Sequence, residues 1–170
     1  MVYTLIGMPG SGKSCMGRAL SRRLKIKNID SDKLIQRVAG KRLIDIIRED
    51  GMSAFRELEE RVLLGFCKDN VILSTGGSAV YYPEAMVHLR SLGPIIYLYC
   101  SYEVIAERLG DFSERGVVLR SGQTLRDLYD ERSELYKKYA DITVDCSGKH
   151  FAKYRERIIS ALRYYINSEN

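Results

Sequence analysis

Near its start the chain runs Val2-Tyr3-Thr4-Leu5-Ile6-Gly7-Met8-Pro9-Gly10-Ser11-Gly12-Lys13-Ser14. The first five residues of this stretch form an apolar run with β-branched content, the pattern of a buried strand. The next eight match G-x-x-x-x-G-K-[ST] in full. An amphipathic stretch follows, with Met16, Leu20 and Leu24 on one helical face. Each part of the motif has a chemical reason. Glycines let backbone N–H groups turn inward around phosphate oxygens, where a side chain would block the approach. Lys13 neutralises charge on the β- and γ-phosphates, and the Ser14 hydroxyl is suited to Mg²⁺. The helix starting at about Gly12 points its positive end at the same anion. The pattern therefore predicts nucleoside triphosphate binding, with Gly10, Ser11, Gly12, Lys13, Ser14 and Cys15 around the nucleotide.

Further apolar runs occur at Ile26–Ile29, Val71–Ser74, Pro94–Tyr99 and Ile142–Val144. Between them lie stretches at helical spacing, among them Val62, Leu63 and Phe66, and later Phe151, Tyr154, Ile158, Leu162 and Tyr165. Strands alternating with helices imply right-handed crossovers and a parallel sheet, and strands continuous in apolar residues imply helices on both faces. The expected fold is α/β: a three-layer α/β/α P-loop domain around a central, mostly five-stranded parallel sheet. Residues 1–170 read as one domain, without repeat or linker. Residues 31–60 interrupt the alternation with short helical pieces broken at Gly40 and Gly51. Residues 108–122 do so with a polar, glycine-punctuated segment. At the carboxyl ends of strands such insertions bind substrates or act as lids.

The 170 residues suffice for a core without disulfides. Cys15, Cys67, Cys100 and Cys146 form no C-x-x-C pair and read as buried thiols in a reducing compartment. No apolar run approaches the ~20 residues of a membrane span, and the opening residues carry no basic n-region. A cytoplasmic protein is expected. The net charge is +5, but the basic residues make no dense run and no nucleic-acid module is recognisable. The surplus is read as a pocket collecting anions, with no nucleic-acid or membrane partner. The Asn-Lys-x-Asp motif of a switch GTPase is absent and a motor ATPase would be larger, which leaves small kinases, a nucleoside monophosphate kinase among them.

Among those, the chain resembles the shikimate kinase family over nearly its whole length. Asp30-Ser31-Asp32 matches the family's Asp-x-Asp after the second strand. Phe55-Arg56-Glu57-Leu58-Glu59 matches its Phe-Arg-x-x-Glu helix, and Gly76-Gly77-Ser78 its glycine triplet. Arg108 and Arg115 match the arginines before and within the lid, and Arg132 with Tyr136 matches its Arg-x-x-x-Tyr. The chain departs from the pattern at Ser78, at Gly116-Val117-Val118 where the family lid continues Pro-Leu, and at Ser133-Glu134.

The resemblance implies Mg²⁺-dependent transfer of the ATP γ-phosphoryl group to shikimate, giving shikimate 3-phosphate in aromatic amino-acid biosynthesis, by a monomer. It assigns Asp30 to the Mg²⁺ side with Ser14, and Asp32 to the acceptor hydroxyl as positioning group or general base. The residues themselves allow a second reading, in which Asp32 and Ser31 cap a helix. Arg56 and Arg132 are expected to clamp the substrate carboxylate, with Glu59 holding the Arg56 fork, although Arg56 and Glu59 also suit a solvated i,i+3 ion pair. Gly76 and Gly77 would let substrate approach the backbone. Arg115 would close over the transferring phosphoryl group, making it catalytic together with Lys13 and Asp32, and Arg108 would lie against adenine or the phosphates. A kinase of another polyol acid such as gluconate, or an idle nucleotide-binding paralogue, is the alternative.

Overall fold

The computed structural model describes residues 1–110, 119–120, 122–148 and 150–168. The strands β1 (Val2–Ile6), β2 (Lys27–Asp30), β3 (Val71–Ser74), β4 (Ile95–Tyr99) and β5 (Ile142–Asp145) form one parallel sheet in the order β2-β3-β1-β4-β5. β1 thus lies at the centre, in register with β3 at Leu5↔Ser74 and with β4 at Ile6↔Tyr97. β3 is buried throughout, and β1 and β4 almost so, as helices on both faces require. The edge strands differ. β2 reads Lys-Asn-Ile-Asp with no fully buried residue, and β5 alternates buried and exposed. Continuous apolar character therefore marks the middle of the sheet only, because an edge strand has a neighbour on one side alone.

Helix α1 (Lys13–Leu24) leaves the phosphate loop and packs on β3 and β2. A side chain at Gly17 would bring its Cβ within 2.5 Å of both Asn28 Oδ1 and Ser74 Oγ. The missing side chain lets α1 close on those strands, and this fixes the loop over the sheet's carboxyl edge. The main core runs on both sides of the sheet, from Leu5, Ile72 and Ile96 out to Leu20, Met86 and Ile158.

The insertion after β2 contains α2 (Ser31–Ala39), stopped by Gly40 at φ 67°, then α3 (Leu43–Asp45), a π-helical turn Ile46–Asp50, and α4 (Gly51–Leu64). Gly51, at φ 88°, marks a change of helix type at the start of α4, where the sequence predicts only a break between helices. Ile35, Ile46 and Leu58 form a small separate core here, flanked by Phe55 and Val62. After β3 comes a 3₁₀ turn, Ala79–Tyr81, then α5 (Pro83–Leu92). The helices α6 (Tyr102–Leu109), α7 (Leu125–Tyr139) and α8 (Phe151–Ser168) complete the chain. A capping box of Thr124 and Asp127 starts α7. Of the expected lid, 111–118 and 121 lie outside the described residues, and with them Arg115 and Gly116-Val117-Val118.

The thiols are not all buried. Cys100 and Cys146 are, whereas Cys15 and Cys67 are exposed. Cys15 sits in the first turn of α1 and lines the cleft described below, and Cys67 lies in the connection from α4 to β3. Among the described residues no helix is long and apolar enough to cross a membrane.

Candidate active site

A cleft of about 1030 Å³ opens at the carboxyl ends of the central strands. Pro9, Gly10 and Gly12 to Cys15 line one side, and Arg56, Glu59, Gly76, Gly77 and Arg132 the other. Elements far apart in the chain meet here because parallel strands direct all their following loops to one edge of the sheet.

On the phosphate side, Gly10 (φ 81°) and Gly12 (φ 93°) take left-handed conformations that other residues rarely adopt. Lys13 is only 8 % exposed, and its Nζ donates to the carbonyls of Gly7 at 2.7 Å and Met8 at 2.9 Å. Burial lowers its pKa to about 8. Asp32 and Asp30 work against that fall, and Arg132 adds to it. Ser14 Oγ donates to Asp30 Oδ2 at 3.1 Å. The other Asp30 oxygen accepts from the backbone N–H of Asp32 at 3.1 Å, so Asp30 is the N-cap of α2. The alternative in which Asp32 and Ser31 cap the helix is thereby corrected. β2 ends at Asp30 and the chain turns at once into helix, which frees the Asp32 carboxylate from capping. Asp32 points toward Gly76, where a Cβ would lie 3.1 Å from its Oδ1. Burial raises the Asp32 pKa, the Asp30 charge raises it further, and Lys13 opposes both.

On the other side, Arg132 of α7 is 8 % exposed. Its Nε donates to the Tyr81 hydroxyl at 3.3 Å, and its guanidinium carbon lies 5.2 Å from the Tyr81 ring centroid. Among the described residues no carboxylate forms an ion pair with it. Tyr136, one turn on, donates to the Gly77 carbonyl at 2.7 Å and so ties α7 to the turn after β3. Arg56 is exposed and lines the cleft. The expected Arg56–Glu59 fork is not formed. Glu59 turns inward and is fully buried, accepting from Ser78 Oγ (2.9 and 2.7 Å to its two oxygens) and from the Tyr82 hydroxyl (2.8 Å). Two hydroxyls therefore satisfy Glu59, and Arg56 forms no ion pair among the described residues. Burial raises the Glu59 pKa, and those two hydroxyls oppose the rise.

Arg108, at the end of α6, donates to the carbonyls of Gly10 (3.3 Å) and Cys146 (3.2 Å) and to Cys100 Sγ (3.4 Å). It ties the phosphate loop to the ends of β4 and β5. Gathered at the cleft are thus Lys13, Ser14, Asp30, Asp32, Arg56, Gly76, Gly77 and Arg132, with Arg108 behind the loop. Sequence reasoning misses the parts played by Ser78, Tyr81 and Tyr82. The signal available is Ser78, which stands where the family pattern has glycine; Tyr81 and Tyr82 follow in a short turn with no period of their own.

A phosphate-cradling loop at a helix N-terminus, a hard-oxygen pair beside it and a buried arginine across the cleft define a P-loop kinase for a small anionic acceptor. The family model described as Shikimate kinase matches residues 9–163, and the chain belongs to the shikimate kinase family. It is 32 % identical over 160 residues to a shikimate kinase of Persephonella marina, covering 94 % of this chain and 97 % of that one. Among solved structures it is similar to the Acinetobacter baumannii shikimate kinase in complex with shikimate, with a TM-score of 0.86 at 27 % identity, covering 96 % of this chain and 93 % of that one. The Aquifex aeolicus shikimate kinase matches with a TM-score of 0.83 at 34 % identity, covering 96 % of each chain.

Proposed function

We propose that the chain transfers the γ-phosphoryl group of ATP to a ring hydroxyl of shikimate. The carrying observation is the Arg132 guanidinium, buried and without a carboxylate partner among the described residues, across one cleft from a complete phosphate loop. A buried cation left unpaired is costly and is best accounted for by an anion that arrives as ligand. In this reading the acceptor's carboxylate meets Arg132, and Arg56 swings in from the rim to share it. Gly76 and Gly77 leave the backbone bare beneath the ring, and the hydroxyl to be phosphorylated lies near Asp32.

The hydroxyl oxygen forms a bond to the γ-phosphorus while the bond from that phosphorus to the β,γ-bridging oxygen breaks. The electron pair leaves with ADP, and Asp32 accepts the hydroxyl proton, or orients the hydroxyl while that proton passes to an oxygen of the transferred phosphoryl group. Lys13 gives up its carbonyl contacts for the β- and γ-phosphates. Ser14 Oγ and an Asp30 oxygen, 3.1 Å apart, are a hard-oxygen pair that fits Mg²⁺, with Asp30 acting directly or through water. When bound, Mg²⁺ would neutralise phosphate charge. Arg108, which holds the Gly10 carbonyl, is proposed to lie against adenine or the phosphates, and Arg115 to reach over the phosphoryl group. The protein would act as a cytoplasmic monomer.

ADP release measured with shikimate, with gluconate and with no acceptor tests the reading. Release is expected with shikimate alone. Release with gluconate and none with shikimate would overturn the acceptor assignment.

A further inference from the structure

Arg132 and Glu59 are buried charges of opposite sign lining the same end of the cleft, yet no ion pair joins them. Both meet hydroxyls from one five-residue segment instead: Arg132 meets Tyr81, with Tyr136 of its own helix also beside it, and Glu59 meets Ser78 and Tyr82. The segment sits on the 3₁₀ turn after Gly76-Gly77. Its side chains therefore diverge, one hydroxyl toward α7 and two toward α4.

The consequence for Arg132 is directional. A guanidinium can grip a carboxylate through its Nε–Nη edge or through its two Nη groups. The Tyr81 hydroxyl takes the Nε–H, and the Tyr81 ring lies against the guanidinium. The Nη groups form no ion pair among the described residues, and the Tyr136 hydroxyl also lies close to the guanidinium. Nη1 would be 3.0 Å from a Cβ on Gly77, so it looks across a stretch of backbone that carries no side chain. Glu59 is the buried carboxylate best able to compete for that edge. Hydroxyl donors already reach both of its oxygens, which lowers its need for a cation.

We propose that Tyr81 is a positioning residue that presents the Nη edge of Arg132 to the acceptor's carboxylate, while Ser78 and Tyr82 hold Glu59 away from it. The inference rests on the reading of Arg132 as the carboxylate-binding arginine. It gives Ser78, where the family pattern has a third glycine, a defined task in this chain.

The test compares the parent with Tyr81→Phe, Ser78→Ala, Arg132→Lys and the Tyr81→Phe/Arg132→Lys pair. Steady-state kinetics and shikimate titration are read together with thermal melting. Tyr81→Phe keeps the ring and removes only the hydroxyl. It is expected to raise the KM and Kd for shikimate about threefold to tenfold, the weight of one hydrogen bond. kcat at saturating shikimate and the KM for ATP should stay as in the parent. In the Arg132→Lys background the same change should add nothing, because Tyr81 acts through the guanidinium. Ser78→Ala should raise the shikimate KM in the same sense.

An unchanged shikimate KM in Tyr81→Phe, or an equal further loss in the Arg132→Lys background, overturns the positioning role. An unchanged KM in Ser78→Ala overturns the part given to Glu59. If Arg132→Lys itself binds shikimate as the parent does, the carboxylate reading falls. If Arg132→Lys weakens binding while Tyr81→Phe does not, that reading stands and only the inference fails.

Discussion

Lys13 shows how a single residue's surroundings set its chemistry. Its ammonium is buried against two carbonyls, and its pKa falls to about 8 from the ordinary 10.5. The folded value lies below the unfolded one. The charged side chain therefore weighs on stability below pH 8, and the burden lifts as pH rises from about 8 toward 10.5. A polyphosphate within reach favours the charged form again. Binding of ATP at pH 8 is therefore expected to take up a fraction of a proton. Titration calorimetry at pH 8 in two buffers of different ionisation enthalpy would read this as a buffer-dependent heat, absent in Lys13→Ala. Equal heats in both buffers would contradict it. For Asp32 the shift runs the other way: burial and Asp30 raise its pKa. If it takes the hydroxyl proton, kcat falls as pH drops through a value above the usual carboxylate range. Asp32→Asn should abolish that limb and most of the turnover while leaving ATP affinity unchanged. Turnover surviving in Asp32→Asn would remove the base from the mechanism. That Asp30, and not Asp32, caps α2 was not legible beforehand, since Asp-Ser-Asp offers three capping side chains and only the backbone decides among them.

Among elements, those with strong periods were readable and those shaped by contact were not. The alternation of Val2–Ile6, Val71–Ser74 and Ile95–Tyr99 with amphipathic stretches announced the sheet. The π-helical turn at Ile46–Asp50 had no such signal. It is fitted against the small core of Ile35, Ile46 and Leu58, which no local pattern encodes. The turn after β3 is tighter than its sequence suggests. A Cβ on Gly77 would lie 2.8 Å from Pro9 Cδ and 3.0 Å from Arg132 Nη1, so the phosphate loop and Arg132 both press on one glycine. Gly77→Ala should therefore cost about 1–3 kcal/mol by overpacking and raise the shikimate KM. Thermal melting and kinetics measure the two effects. A variant equal to the parent in both would mean that the turn has slack.

For the molecule as a whole, the net charge is +5, and the charged residues lining the cleft where the anions are proposed to meet carry a net +3. Lys13, Arg18, Arg42, Arg48, Arg56 and Arg132 line the cleft against Asp30, Asp32 and Glu59. The sequence reading of an anion-collecting pocket agrees with this lining. It named Arg132 by resemblance, but that Arg132 is buried against Tyr81 depends on how α7 packs against the turn after β3, which no spacing reveals. Calorimetric titration of shikimate into the parent and into Arg132→Lys decides whether this arginine holds the acceptor. A charge-assisted fork is worth about 1.5–3 kcal/mol, and lysine cannot reproduce it. Affinity is expected to fall about tenfold to a hundredfold while ATP affinity stays as in the parent. Equal shikimate affinity in the two proteins would contradict the account.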